Sequence, residues 1–107
     1  MIVVDREGTV VSVNDAGKRI LPLESDVPVR PWELFELRDL ETSGQLERDS
    51  RPLMRALRGE RAPDADYLGV VVATGAEVPL RISAAPLFDE EGAVRGAIAV
   101  FTKIPRP

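Results

Sequence analysis

Three runs near the C-terminal end read as strands, Tyr67 to Ala73, Glu77 to Leu87 and Ala93 to Thr102, and the middle one alternates apolar and polar positions with period two. That spacing is what half-buried strands require. In the middle run Val78, Leu80, Ile82 and Ala84 fall on one face, and Pro79, Arg81, Ser83 and Ala85 on the other. Glycines at Gly75 and Gly92 separate the runs, so together they predict a three-strand antiparallel meander. The last run is apolar on both faces, with Ala97, Ala99 and Phe101 opposing Ile98 and Val100. Its second face therefore needs a cover of its own, from a helix, a flanking segment or another subunit.

The chain opens on a matching short pair. Ile2 to Asp5 and Thr9 to Val13 are apolar and β-branched, and Asp5-Arg6-Glu7-Gly8 between them carries the Asp and Gly of a type I turn. Asn14 can cap a short helix over 15–20, which Gly17 weakens by about 1 kcal/mol against Ala. Pro22, Pro28 and Pro31 argue against regular structure over 22–31. Trp32-Glu33-Leu34-Phe35-Glu36-Leu37 predicts one helical turn, and Thr42-Ser43-Gly44 a loop. Pro52 suits the first turn of a further helix and Gly59 its stop. On that helix Leu53, Met54 and Leu57 share one face, and Arg51, Arg55 and Arg58 another.

Composition narrows the function. The 107 residues make one domain, 1–107, with a 44% hydrophobic and 30% charged content that suits a single core. The net charge of −4 and the lack of a basic stripe exclude a nucleic-acid footprint. No apolar run approaches the roughly 18 residues of a membrane span, so direct membrane insertion is not expected, and Met1-Ile2-Val3-Val4-Asp5 lacks the basic start of a signal peptide. A cytoplasmic location is the expectation. Cysteine and histidine are both absent. A Ser-His-Asp triad, a Cys-His pair and an N/S zinc site therefore cannot form.

The order and spacing of these segments are similar to those of a PAS domain. Asp5-Arg6-Glu7-Gly8 with Val13-Asn14 resembles the family's opening hairpin. Pro52-Leu53-Met54-Arg55-Ala56-Leu57-Arg58-Gly59-Glu60 resembles the helix before its third strand. Gly75-Ala76-Glu77-Val78-Pro79-Leu80 resembles its turn into the next strand. Ser83-Ala84-Ala85-Pro86-Leu87, Asp89-Glu90-Glu91-Gly92 and Gly96-Ala97-Ile98-Ala99-Val100-Phe101 resemble its closing hairpin. The resemblance implies an α+β fold: a five-stranded antiparallel sheet, made of a two-strand hairpin, short helices and a three-strand meander, with helices on one face. It also implies a sensory module in a larger bacterial signalling protein, such as a histidine kinase, cyclase or phosphatase, with a downstream output domain. Within that resemblance the absent Cys removes a covalent flavin adduct and the absent His removes a His-ligated haem; the cofactor is otherwise unknown. Lys103-Ile104-Pro105 stands where the family often has an Asp-Ile-Thr-like motif. With Pro107 behind it, an unbroken outgoing helix is not expected.

The remaining chemistry has two readings at each place. Asp89-Glu90-Glu91 is a cation cluster or a solvated turn, and neighbours in a hairpin turn diverge too much to converge on an ion. Asp64 and Asp66 are an acid–base pair or solvated carboxylates. Arg51, Arg55 and Arg58, with Arg61 nearby, form an anion site or a solvated face paired with Glu47, Asp49 or Glu60. Trp32 and Tyr67, the single residues of their kinds, line a pocket or belong to the core or its rim. Neither lysine, Lys18 or Lys103, neighbours Ser83, which gives it no base for a nucleophile role.

Small side chains supply the most suggestive pattern. Ala84, Ala97 and Ala99 on the helix-facing side leave space unless Phe35, Leu53 and Leu57 fill it. A dry void costs about 24 cal/mol per Å³, so such space collapses, hydrates or takes a ligand. The candidate pocket residues are Val4, Phe35, Leu53, Leu57, Val70 and Val72, with Leu80, Ile82, Ala84, Ala97, Ala99 and Phe101 from the last two strands. The candidate interface for a homodimer mate or a flanking helix is Arg81, Ser83, Ile98 and Val100, on the outer sheet face. The leading expectation is a non-enzymatic sensor that binds a small apolar ligand, dimerises, or both. The alternatives are a ligand-free interaction adaptor and a carboxylate-dependent enzyme, the latter requiring convergent carboxylates inside the pocket.

Overall fold

The computed structural model describes residues 1–20, 30–42 and 44–105. Among these residues six strands form one antiparallel sheet: β1 (Ile2–Asp5), β2 (Val10–Val13), β3 (Phe35–Asp39), β4 (Ala62–Val71), β5 (Glu77–Phe88) and β6 (Val94–Lys103). Their spatial order is β2-β1-β6-β5-β4-β3. The opening hairpin thus lies against the closing strand, and β1 is hydrogen-bonded on both sides, with Ile2 opposite Ala99 and Val4 opposite Ala97. An interior position explains why Ile2 and Val4 are almost completely buried.

Both turns at this end are built the same way. In Asp5–Gly8 the Asp5 carboxylate oxygen Oδ1 accepts from the Glu7 and Thr9 amides at 2.9 and 3.0 Å. In Asp89–Gly92 the Asp89 Oδ1 accepts from Glu91 and Ala93 at the same two distances. Each ends on a glycine with positive φ, +87° at Gly8 and +85° at Gly92, the conformation glycine adopts without steric penalty. The acidic run 89–91 is therefore turn chemistry, with Asp89 turned back onto its own backbone.

Among the described residues three short α-helices accompany the sheet, α1 (Asp15–Ile20), α2 (Pro31–Leu34) and α3 (Pro52–Leu57), with a 3-10 turn at Arg48–Ser50. Asn14 caps α1 through its side-chain oxygen, which accepts from the Gly17 amide at 2.8 Å. Pro52 opens α3, and Gly59 closes it in a reciprocal pair of bonds: Gly59 N–H to Ala56 at 2.9 Å and Glu60 N–H to Arg55 at 3.0 Å. That pairing is the Schellman stop expected of a glycine after a helix. α3 packs on β5 and β6. Its Ala56 is fully buried in the same core cluster as Ala84 and Ala97. Small residues on both sides let helix and sheet approach closely.

Two expectations need correction. The sheet has six strands, not five, because 32–37 does not make a helical turn throughout. The helix stops at Leu34, and Phe35–Asp39 extends along the β4 edge, with Phe35 opposite Val71 and Asp39 opposite Tyr67. The second correction is the phase of β4. Val70 lies on the outer face, opposite Glu36 and Glu77, and Val72 lies past the strand end, 57% exposed. The core side is held instead by Tyr67, Gly69 and Val71. Gly69 occupies a core-facing place because a β-carbon there would meet Leu80 at 3.0 Å and Phe35 at 3.4 Å. Pro22 and Pro28 fall outside the described residues, as do Ser43 and Pro107.

Candidate functional site

A cavity of about 70 Å³ lies between the sheet and the two helices α2 and α3. Its floor is Leu80 and Ile82 of β5 and Ala99 and Phe101 of β6, which the register places side by side (Ile82 opposite Phe101, Ala84 opposite Ala99). Phe35 and Leu37 of β3 form one wall, while Leu53 and Met54 of α3 form the roof. Trp32 closes one side. Among the described lining residues the only charged one is Arg51.

Of the twelve pocket candidates, Phe35, Leu53, Leu80, Ile82, Ala99 and Phe101 line this space. Val4, Ala84 and Ala97 are buried beside it in the core, and Leu57 packs against that core half-buried. Ala84 and Ala97 are buried with Ala56 in the core cluster, and of the alanine stripe only Ala99 borders open space. Val70 and Val72 are not part of the site, for the phase reason given above. Residues not anticipated as lining are Ile2, Pro31, Leu37, Pro52, Met54 and Arg51. The signal for Arg51 was its place directly before Pro52: the residue before a proline is held extended, here at φ −67° and ψ 148°. That directs it off the basic helical face.

The basic cluster accordingly divides. Arg58 donates to the Asp49 carbonyl at 2.8 Å and to Glu60 at 3.3 Å, and Arg55 lies 3.9 Å from Glu60. These two form the solvated, paired face. Arg51 turns inward, and its Nη1 donates to the Phe35 carbonyl at 2.8 Å. Burial lowers its pKa, and the nearby positive charge of Arg48 adds to the effect.

Trp32 is held from several sides. The guanidinium carbons of Arg30 and Arg48 lie 5.7 and 5.1 Å from its ring, within cation–π range. Its far edge rests on Gly8. Tyr67 is half-buried at the core edge, and burial raises its pKa.

The four interface candidates share the opposite face of the sheet. Ser83 is opposite Val100, and Arg81 opposite Thr102; Ile98 is opposite both Ala85 and Val3. Val100 is half exposed. Arg81 reaches across to Asp66 on β4, donating from Nε to Oδ1 at 2.8 Å and from Nη2 to Oδ2 at 3.3 Å. This ion pair absorbs one of the two carboxylates considered for acid–base work. It lowers the Asp66 pKa and raises that of Arg81. Asp64 and Asp66 lie away from the cavity, with Asp39 and Glu41 at the far edge of the sheet.

No helix among the described residues is long and apolar enough to cross a membrane. A family model described as the PAS fold matches residues 1–106. No curated protein matches the chain.

Proposed function

We propose, on the premise that the chain belongs to the PAS family, that it senses a small molecule held between the sheet and α2 and α3. PAS domains are sensory and signalling modules in general, and commonly dimerise and link to output domains. The observation that carries the finer reading is the apolar cavity with a rigid sheet as floor and short helices as roof. An occupant that fits one arrangement of the helices better than another shifts their equilibrium by that difference in affinity, and by no more. The volume favours a ligand of few atoms. It is about half the ~150 Å³ of an engineered cavity that takes up benzene.

The outer face supplies the second half of the proposal. Ile98, Val100 and Ser83 lie together, with Arg81 at their edge, and a second copy of the chain covers them. The output belongs to a larger bacterial signalling protein of the kinase, cyclase or phosphatase kind. The work is packing rather than bond-making: the described cavity lining holds no carboxylate, which speaks against a carboxylate-dependent enzyme. A ligand-free adaptor is the second reading, favoured by the burial of Ala56, Ala84 and Ala97 in one core cluster.

Native mass spectrometry of the gently purified chain tests the proposal. A mass above 11.7 kDa per chain by a small organic molecule supports sensing. A dimer without added mass favours the adaptor. A bare monomer at every concentration contradicts the dimer.

A further inference from the structure

Sulfur chemistry in this chain falls on methionine. The chain has no cysteine and two methionines, Met1 and Met54. Met54 belongs to α3 and forms part of the roof of the apolar cavity, in a lining that also holds Leu53, Phe35 and Phe101. The residue is partly exposed, so it closes the cavity on one side and meets water on the other. The helix that carries it is anchored elsewhere, by Pro52 and Ala56, both buried. A methionine side chain is unbranched and turns about three bonds. It can therefore leave the roof while the helix stays seated.

We infer that Met54 is an oxidation site and that its sulfoxide opens the cavity, lowering its affinity for an apolar guest. This rests on the sensory reading above and adds to it a control of the same site by peroxide. A lone pair on Sδ attacks one oxygen of hydrogen peroxide. The S–O bond forms as the O–O bond breaks, the departing hydroxide takes up the proton left on the transferred oxygen, and water leaves. Sulfur loses two electrons and the peroxide gains them. The product is polar where the thioether was apolar. The side chains of Leu53, Ile82, Ala99 and Phe101, which share the lining, offer its oxygen no donor, and a buried acceptor without a donor is unfavourable. Water lies on the exposed side of Met54. The oxidised side chain turns that way, and the guest loses part of its apolar wall. Sulfoxide reductases reverse the step, so the opening is a switch and not only a lesion.

The test is methyl-resolved NMR of the wild-type chain under xenon pressure, before and after treatment with dilute hydrogen peroxide, with peptide mass spectrometry locating each added oxygen. Met54 is expected to gain one oxygen. The xenon affinity read at the Leu53, Ile82 and Ala99 methyls is expected to fall by about fivefold or more, on the scale of losing part of an apolar wall. Treatment with both epimer classes of sulfoxide reductase restores it. Met54→Leu is expected to bind xenon equally before and after peroxide, although Met1 is oxidised. A Met54 that stays unoxidised while Met1 is fully converted overturns the site. Unchanged xenon affinity in the oxidised chain overturns the opening and leaves the sensory cavity standing. Collapse of the Ile98 and Val100 methyl signals on oxidation also overturns it, since the whole fold is then lost. No response to xenon before oxidation overturns the sensory reading and the switch together. The comparison before and after peroxide uses only the wild-type chain, so it holds even where the variant fails to fold.

Discussion

The ring of Trp32 rests on Gly8 so closely that a β-carbon at Gly8 would stand 2.7 Å from two of its ring atoms. The opening turn and the α2 segment are thereby locked together at one side of the cavity. Gly8→Ala meets two penalties, the positive φ of +87° and the displaced indole. It is expected to destabilise the fold by about 1–3 kcal/mol. Urea unfolding followed by the fluorescence of this single tryptophan measures it, and a loss below about 0.5 kcal/mol would show that the ring moves aside freely.

Two alanines two residues apart should respond in opposite ways to the same enlargement. Ala99 borders the cavity, whereas Ala97 is fully buried in close packing and does not. Ala99→Val places its methyls in existing space and should leave stability within about 0.5 kcal/mol of wild type or raise it. Ala97→Val should cost about 1–3 kcal/mol by overpacking. Equal losses in chemical denaturation would mean that the space at Ala99 is not there.

Gly96 makes a sharper case on the same strand. A β-carbon at Gly96 would collide with the carbonyl oxygen of Val4 on β1, a backbone atom that cannot rotate away. Gly96→Ala is expected to weaken the β1–β6 pairing and to speed amide hydrogen exchange at Ile2 to Asp5 relative to β5. Unchanged exchange there would contradict the close approach.

Acid should destabilise the chain through identifiable carboxylates. The Asp66 pKa is lowered by its bond to Arg81, and that of Asp39 by the Thr42 and Glu41 amides. A carboxylate with a lowered folded-state pKa contributes stability above its unfolded value of about 3.9, and that contribution is lost as pH falls through the folded value. Melting temperature should therefore drop from about pH 4 downwards. Asp66→Asn and Asp39→Asn should each flatten that drop. Both groups are exposed, so the effect is modest and shrinks in high salt.

Most of the sheet was legible because its alternation is clean. In β5 Leu80, Ile82 and Ala84 could face only one way, and the two Asp-to-Gly turns announced both end hairpins. The failures came where both parities are apolar. Leu68-Gly69-Val70-Val71-Val72 alternates in no decisive phase, and the glycine that fixes it is set by the bulk of Phe35 and Leu80 from distant parts of the chain. Trp32-Glu33-Leu34-Phe35-Glu36-Leu37 contains a helical turn and a strand start in six residues, and only the free edge of β4 decides the boundary. Arg51 was visible as a charge but not as a cavity residue. Its inward direction depends on a bond to the Phe35 carbonyl, which exists only once β3 is in place.

Dimerisation through the outer face is testable at one residue. Val100 is half exposed on that face, in the middle of β6. Val100→Arg should shift the chain to monomer in sedimentation velocity with no change in unfolding midpoint measured at low concentration. A dimer that survives the substitution would place the contact elsewhere.

Sensing by this domain requires that the space beneath α2 and α3 admit a guest at all, whatever that guest is chemically. Xenon enters dry apolar cavities, so methyl-resolved NMR of the chain under xenon pressure tests this most directly. Saturable shifts are expected at the methyls of Leu53, Leu80, Ile82 and Ala99 alone, with the outer-face methyls of Ile98 and Val100 unmoved. Shifts scattered over both faces, or none at all, would contradict it.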